Sequence, residues 1–136
     1  MKVIGLDGKQ HSFLPQKNSY CTATNKSSLH ILARELIHEL FPHDPIFEEV
    51  SLAGTATNQH GILYADFVLV RRKSIIEVHG EQHYKFVPYY HVDMNGWVLQ
   101  RTRDKNKRLW CEKNGWTYVE LKFDEQDTWR DKLIQT

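Results

Sequence analysis

The stretch IIEVHGEQHYKF, residues 75–86, places a carboxylate and an imidazole on one apolar strand and then adds a second pair. Glu77 lies between isoleucines and a valine; His79, Gly80, Glu81 and His83 follow within five positions. A further carboxylate, Asp66, sits inside the equally apolar YADFVLV. Ionised carboxylates are rarely buried unless they are paired or bound to a metal. If the Arg71-Arg72-Lys73 turn joins two antiparallel strands, Asp66 and Glu77 lie nearly opposite each other, and one pKa rises unless a cation bridges them. Mg²⁺ is bound through one or two carboxylates together with waters and phosphate oxygens. His79, two residues past Glu77, projects from the same strand face. Its imidazole can take or give a proton near neutrality. Gly80 is expected to let the chain bend so that His83 returns toward the same pocket. Each residue alone has a bland explanation, an arginine-paired Asp or a satisfied core histidine. Four of them converging on one sheet edge favour a functional site.

The elements that must position these groups are readable from spacing. Residues 2–14 read as a small hairpin turning at Asp7-Gly8, and 15–26 as loop. Ser27 or Ser28 caps a helix running to about Phe41 and stopped by Pro42, with Leu29, Leu32, Leu36 and Leu40 as its apolar stripe. Glu35 and Glu39, one turn apart, flank that stripe; they either pair in solvent with Arg34 or His38 or reach a metal beside the sheet. Strands follow at 46–52, 62–70 and 74–80, the last two apolar nearly throughout, as for strands covered on both faces. Residues 84–96 are aromatic-rich and irregular. A helix over about 97–113 ends at Asn114-Gly115, where a left-handed cap belongs. A strand at 116–123 and a short helix from about Asp127 complete an α/β sandwich with one mixed sheet behind an N-terminal hairpin.

Composition sets limits. A length of 136 residues, 40% hydrophobic and 26% charged, suits one soluble domain, divided as hairpin and loop 1–26, core 27–123 and C-terminal helix 124–136. No stretch is long and apolar enough for a bilayer, so no membrane partner is expected. MKVIGLDGKQ is interrupted too early for a secretory signal, so a cytoplasmic address is expected. Cys21 and Cys111 lack the short-spaced pairs of a structural zinc and read as reduced thiols. Net charge is only +1, so polyanion binding must come from local patches. The candidates are Arg71, Arg72 and Lys73 in the turn, Lys85, and Arg101, Arg103, Lys107 and Arg108 on the second helix. Tyr84, Phe86, Tyr89 and Tyr90, interleaved with Lys85 and His91, make either a stacking surface for nucleotides or a cover for core edges.

An acidic residue on the first helix, Asp in the second strand, E-x-H on the third, and then RDKNKRLWCEKNGWTYVEL resemble the PD-(D/E)xK nuclease superfamily. The likeness is closer to the branch of very-short-patch-repair endonucleases and phage EDxHD homing endonucleases, where histidine replaces the usual lysine. It spans about Ser27 to Lys122, and the EDxHD letters fall on Glu35, Asp66, His79 and Asp104, with Glu39 an alternative to Glu35. No counterpart of the repair enzymes' zinc cysteines is present. The resemblance implies a restriction-endonuclease-like fold and Mg²⁺-dependent hydrolysis of DNA phosphodiesters, with Mn²⁺ able to substitute, in a bacterial or phage-infected cytosol. It implies Asp66 as the essential metal ligand, with the backbone carbonyl of Val78, Glu35 through a water, and Glu77 either as a further ligand or as a packing partner. His79 would be base or water positioner, His83 the acid for the leaving oxygen or a phosphate contact, and Asp104 the residue orienting a histidine or water. Lys122 stands either as a substitute lysine or as a phosphate contact. With no helix-turn-helix or zinc finger, specificity would come from a homodimer, a separate DNA-binding partner or the loops. The alternative is a non-catalytic nucleic-acid-binding or regulatory protein that keeps the fold.

Overall fold

The structure, a computed structural model of the chain, describes residues 1–15 and 27–136. Apart from Pro15, the expected 15–26 loop lies outside the described residues, as does Cys21. Strands β1 (Lys2–Ile4) and β2 (Gln10–Ser12) form the N-terminal hairpin, with Gly8 at φ 77 in its turn. Helix α1 (Ser28–Leu40) is capped by the Ser27 hydroxyl, which accepts from the His30 N–H at 3.2 Å. Its buried face is His30, Ala33 and Ile37; Leu29, Leu36 and Leu40 flank it, and Leu32 is exposed. The helix is therefore rotated from the leucine stripe read in the sequence. Small Ala33 allows close approach to the sheet, and His30 is drawn inward by a buried carboxylate, Glu48.

Strands β3 (Ile46–Ser51), β4 (Tyr64–Leu69), β5 (Ser74–His79) and β6 (Thr117–Lys122) form one sheet in that order. The first three are antiparallel neighbours; β5 and β6 are parallel. A parallel pair needs a crossover. Here it contains the single turn α2 (Pro88–His91) and the 21-residue α3 (Met94–Asn114). Helix α3 starts three residues earlier than expected because the Asp93 carboxylate caps it, accepting from the Gly96 N–H at 2.9 Å. It stops where expected: Gly115 adopts φ 68, and the Trp116 N–H returns to the Cys111 carbonyl at 2.9 Å. A short α4 (Trp129–Ile134) closes the chain.

Helices α1 and α4 cover one face of the sheet through Ile37, Phe67, Ile76, Leu121, Trp129 and Leu133. Helix α3 and the hairpin cover the other, through Phe13, Val68, Ile75, Trp110 and Trp116. Asn114 clasps the hairpin to the end of α3, accepting from the Ile4 N–H at 2.7 Å and donating to the Ile4 carbonyl at 2.9 Å. The architecture is thus mixed α/β, a four-stranded mixed sheet flanked by helices with an N-terminal hairpin. Among the described residues no helix is long and apolar enough to cross a membrane.

One level of the sheet breaks the rules of the rest. Glu48 pairs with Phe67 and Val50 with Ala65, so Glu49 and Asp66 face each other without a ladder pair. Glu49 adopts φ 53, a left-handed conformation uncommon for glutamate. Alternation fails there: Glu48 meets residues of α1, while Val50, two positions on, packs in the core under α3. Between β4 and β5 the ladder also ends at Phe67–Ile76, one pair short of Asp66 and Glu77.

Candidate active site

Side chains replace the missing ladder bonds at this level. The Asp66 Oδ2 accepts from the Val78 N–H at 2.8 Å, and the Glu77 Oε2 accepts from the Asp66 N–H at 2.7 Å. Two strand carboxylates are thereby inserted into the seam between β4 and β5. Burial, and then the charges of Glu77 and Glu49, hold the Asp66 pKa well above the usual carboxylate range, against the Val78 N–H and Lys107. Val78 meets Asp66 through its amide N–H, and in an antiparallel strand its carbonyl lies on the same edge.

Glu77 is fully buried and forms an ion pair with Lys107 of α3. Burial works against the Lys107 ammonium, yet attraction to Glu77, with Asp66 and Asp104 behind it, holds its pKa above the ordinary lysine value. Lys107, expected as a DNA contact, is instead an internal countercharge: its helix position turns it toward the sheet rather than outward.

Beyond Glu77 the strand delivers His79, which is 1% exposed. A 3-10 turn over Glu81–His83 brings His83 back onto it, the rings parallel within 6° and 3.9 Å apart. Gly80 has φ −76, so the bend uses the 3-10 turn rather than glycine's special freedom. Asp104 Oδ2 lies 2.7 Å from His83 Nδ1, and its Oδ1 accepts from Gln100 at 3.3 Å. Burial acts to raise the Asp104 pKa, but the His83 hydrogen bond and the charges of His83, His79 and Lys107 outweigh it and lower the value. An ionised Asp104 only accepts, so Nδ1 of His83 carries a proton and, in the neutral ring, Nε2 holds the lone pair. Below, Glu120 of β6 takes the Nδ1–H of His79 at 2.6 Å, the Tyr84 hydroxyl at 2.9 Å and Arg108 at 3.1 Å. The His79 bond, opposed by burial and helped by Tyr84 and Arg108, lowers the Glu120 pKa to about 2. The Tyr118 hydroxyl, its pKa raised by burial, sits 3.2 Å from His79 Nε2 and donates to it.

His79, His83 and Asp104 offer ligand atoms within 4.8 Å of one another. The ring geometry argues against a shared ion. A metal needs each imidazole lone pair aimed at it within the ring plane at about 2.1 Å, and rings in stacked parallel planes cannot both comply. His83 lines an open cleft of about 510 Å³ with Tyr84, Arg101, Lys105, Arg108 and Glu120; His79 lies beneath it. The imidazole that reaches the cleft is therefore the part-buried His83, with His79 packed behind it, whereas the sequence puts the emphasis on His79.

The structure does not bring Glu35 to the site. It lies two residues from both Ala33 and Ile37, about 200° around the helix, and is exposed. Glu39, likewise turned away, pairs with Arg130 at 3.2 Å. His30 is the residue of α1 that approaches Asp66. Arg71, Arg72 and Lys73 lie at the opposite end of β5, roughly 20 Å from His79 at strand rise. Arg72 there binds Asp44, covers the Phe41 ring and donates to the Thr136 carbonyl. Arg101 and Arg108 border the cleft, Arg103 lines a second one with Tyr64 and Lys107, and Lys85 pairs with Glu81. Lys122 sits beside His79 in register, 4.9 Å from the Tyr84 ring centroid. Tyr89 and Tyr90 are exposed, whereas His91 is buried and accepts from the Val87 N–H. Sequence reasoning missed Glu120, Tyr118, His30 and Glu49. A glutamate between Val119 and Leu121, and a histidine on the Ala33–Ile37 face, were the available signals.

No protein-family model matches the chain, and no solved structure matches it. A 52-residue segment is 36% identical to "Uncharacterized protein 307L" of Invertebrate iridescent virus 6. The match covers 38% of this chain and 26% of that protein, so it spans about a quarter of the relative's length.

Proposed function

We propose that the chain is a metal-dependent phosphodiesterase acting on DNA, an endonuclease built on a restriction-endonuclease-like version of this sandwich. The observation that carries the proposal is a carboxylate with a raised pKa, Asp66, wedged into a parted seam one residue pair from a carboxylate-held histidine stack. A divalent ion would suit the seam: Asp66 is buried beside the Glu77 carboxylate, and a cation there favours its ionised form. Asp66 and the Val78 carbonyl would hold the ion, Mg²⁺ or Mn²⁺. When bound it lowers the pKa of water and neutralises charge on the phosphate oxygens.

The chain's own groups supply the rest. His83, with Nδ1–H anchored on Asp104, presents Nε2 to the cleft as the proton acceptor or donor. His79 packs against its face, and Glu120 and Tyr118 fix the tautomer of His79 from below. Arg101, Lys105 and Arg108 line the cleft with positive charge suited to a phosphate backbone. Glu77 serves as the anchor of Lys107, which fits the packing role better than that of a ligand.

The experiment is incubation of supercoiled plasmid with Mg²⁺ or Mn²⁺, beside Asp66→Ala, His83→Ala and His79→Ala. Nicking or linearisation by the wild type, lost with Asp66→Ala and reduced about 10²–10⁴-fold with His83→Ala, is expected. Equal activity in every protein would mean a contaminant. DNA retention without cleavage would leave the non-catalytic alternative.

A further inference from the structure

We infer that His30 is a nitrogen ligand to the ion held by Asp66, with Glu49 as a further oxygen donor, so that the site favours Mn²⁺ over Mg²⁺. The inference rests on the metal-site reading above and deepens it. A ring nitrogen of His30, a carboxylate oxygen of Glu49 and one of Asp66 lie within 4.8 Å of one another. An ion about 2.1 Å from each donor spans nearly that distance.

What turns proximity into a site is the support behind His30. Its Nε2 lies 2.6 Å from Oε1 of Glu48, a fully buried carboxylate. Arg34 grips both oxygens of that carboxylate, Nε to Oε2 at 2.9 Å and Nη2 to Oε1 at 3.0 Å. Both oxygens of that carboxylate accept from the guanidinium and one also from the ring, so the proton of a neutral His30 is on Nε2 and the lone pair on Nδ1. Metal-ligating histidines characteristically donate their other ring N–H to a carboxylate, which fixes tautomer and orientation. The His30 ring also stacks on Phe67, the neighbour of Asp66, at 4.6 Å and 24°. The side chain is 7% exposed, and its ring has no hydrogen bond besides that to Glu48 among the described residues. A network present only to satisfy Glu48 needs Nε2 alone. It gives no reason for the buried imidazole to stand at the level where Glu49 and Asp66 leave the ladder.

The donor set decides the metal. Mg²⁺ demands oxygen ligands in a near-ideal octahedron and sheds water reluctantly. An imidazole with two carboxylates suits Mn²⁺ and the later divalent ions of the first transition row.

The test is electron spin echo spectroscopy of the full chain titrated with Mn²⁺, reading ¹⁴N modulation from a coordinated imidazole. Modulation is expected in the wild type and in His79→Ala/His83→Ala, and its loss in His30→Ala with the circular dichroism unchanged. Should His30→Ala fail to fold, Glu48→Gln decides, with a 10–100-fold weaker Mn²⁺ affinity expected. No modulation in the wild type, modulation that depends on His79 or His83 instead, or unchanged affinity in Glu48→Gln overturns the inference. Plasmid cleavage without nitrogen coupling would remove His30 from the site and leave the nuclease standing. Nitrogen-coupled Mn²⁺ in a protein that cleaves no nucleic acid would do the reverse.

Discussion

Replacing Lys107 by methionine keeps the aliphatic stem and removes the charge. Glu77, 1% exposed, then faces Asp66 with no cation between them. At an effective dielectric near 20, a charge pair about 4 Å apart is worth about 4 kcal/mol. Breaking a buried ion pair by deleting one partner costs about 3–5 kcal/mol in measured cases. The two routes agree, and for a chain of this size they correspond to a fall in melting temperature on the order of 10–15 °C. The pH dependence has a fixed sign. Stranded carboxyls have folded pKa values above their unfolded ones, so the folded state takes up protons more readily. The deficit of Lys107→Met is therefore largest near pH 8 and shrinks as pH falls through the raised values toward about 4. Adding Glu77→Gln should recover most of the loss, because the carboxylate that Lys107 paired is gone and Asp66 is relieved of its like-charged neighbour. Urea titrations read through Trp110, Trp116 and Trp129 fluorescence measure all three proteins. A loss below about 1 kcal/mol at pH 8, with no recovery on acidification, would refute the buried-pair argument.

Asp66→Asn retains an oxygen to accept the Val78 N–H and discards a charge that burial penalises; in the absence of metal it should raise the melting temperature at pH 8 by a few degrees while cleavage of plasmid disappears. Glu120 has its folded pKa lowered to about 2, so its stabilising contribution is present above about pH 4.5 and lost on descent toward pH 2. Glu120→Gln should accordingly flatten that part of a urea-midpoint-against-pH curve. Cys111 is buried with its thiol pKa pushed up to about 12 by burial and by Glu77 and Glu112, so it should stay unlabelled by Ellman's reagent until urea unfolds the chain, as peptide mapping would show.

The pairing of Asp66 with Glu77 was legible because a short connection, the four residues Val70 to Lys73, fixes the register of the strands it joins. Helix α3 and its glycine stop were legible for a similar reason, since caps are local. Glu120 was not, because the register of a parallel pair is set by a crossover spanning 37 residues, from Gly80 to Trp116, and not by any turn. Glu35 and Glu39 were read from the sequence and His30 was not, because leucines outweigh alanine in a sequence pattern, whereas packing chose the face where Ala33 lets the helix approach. The left-handed turn at Glu49 has no signature in glutamate itself. Charge was the least informative guide: Arg103 and Lys107, four residues apart on one face of α3, line the same cleft, yet only Lys107 meets a buried carboxylate, Glu77, and is drawn inward by it.

Helix α3 couples two jobs on one rigid rod. Trp110 and Cys111 lock it into the core, and Gln100, Asp104 and Lys107, up to three turns earlier, reach the histidines and Glu77. One residue inserted at 108 or 109 would turn the earlier half about 100° against the anchored half and swing all three side chains off target together. The spacing between the two halves of that single helix is thus fixed by what each of them must reach.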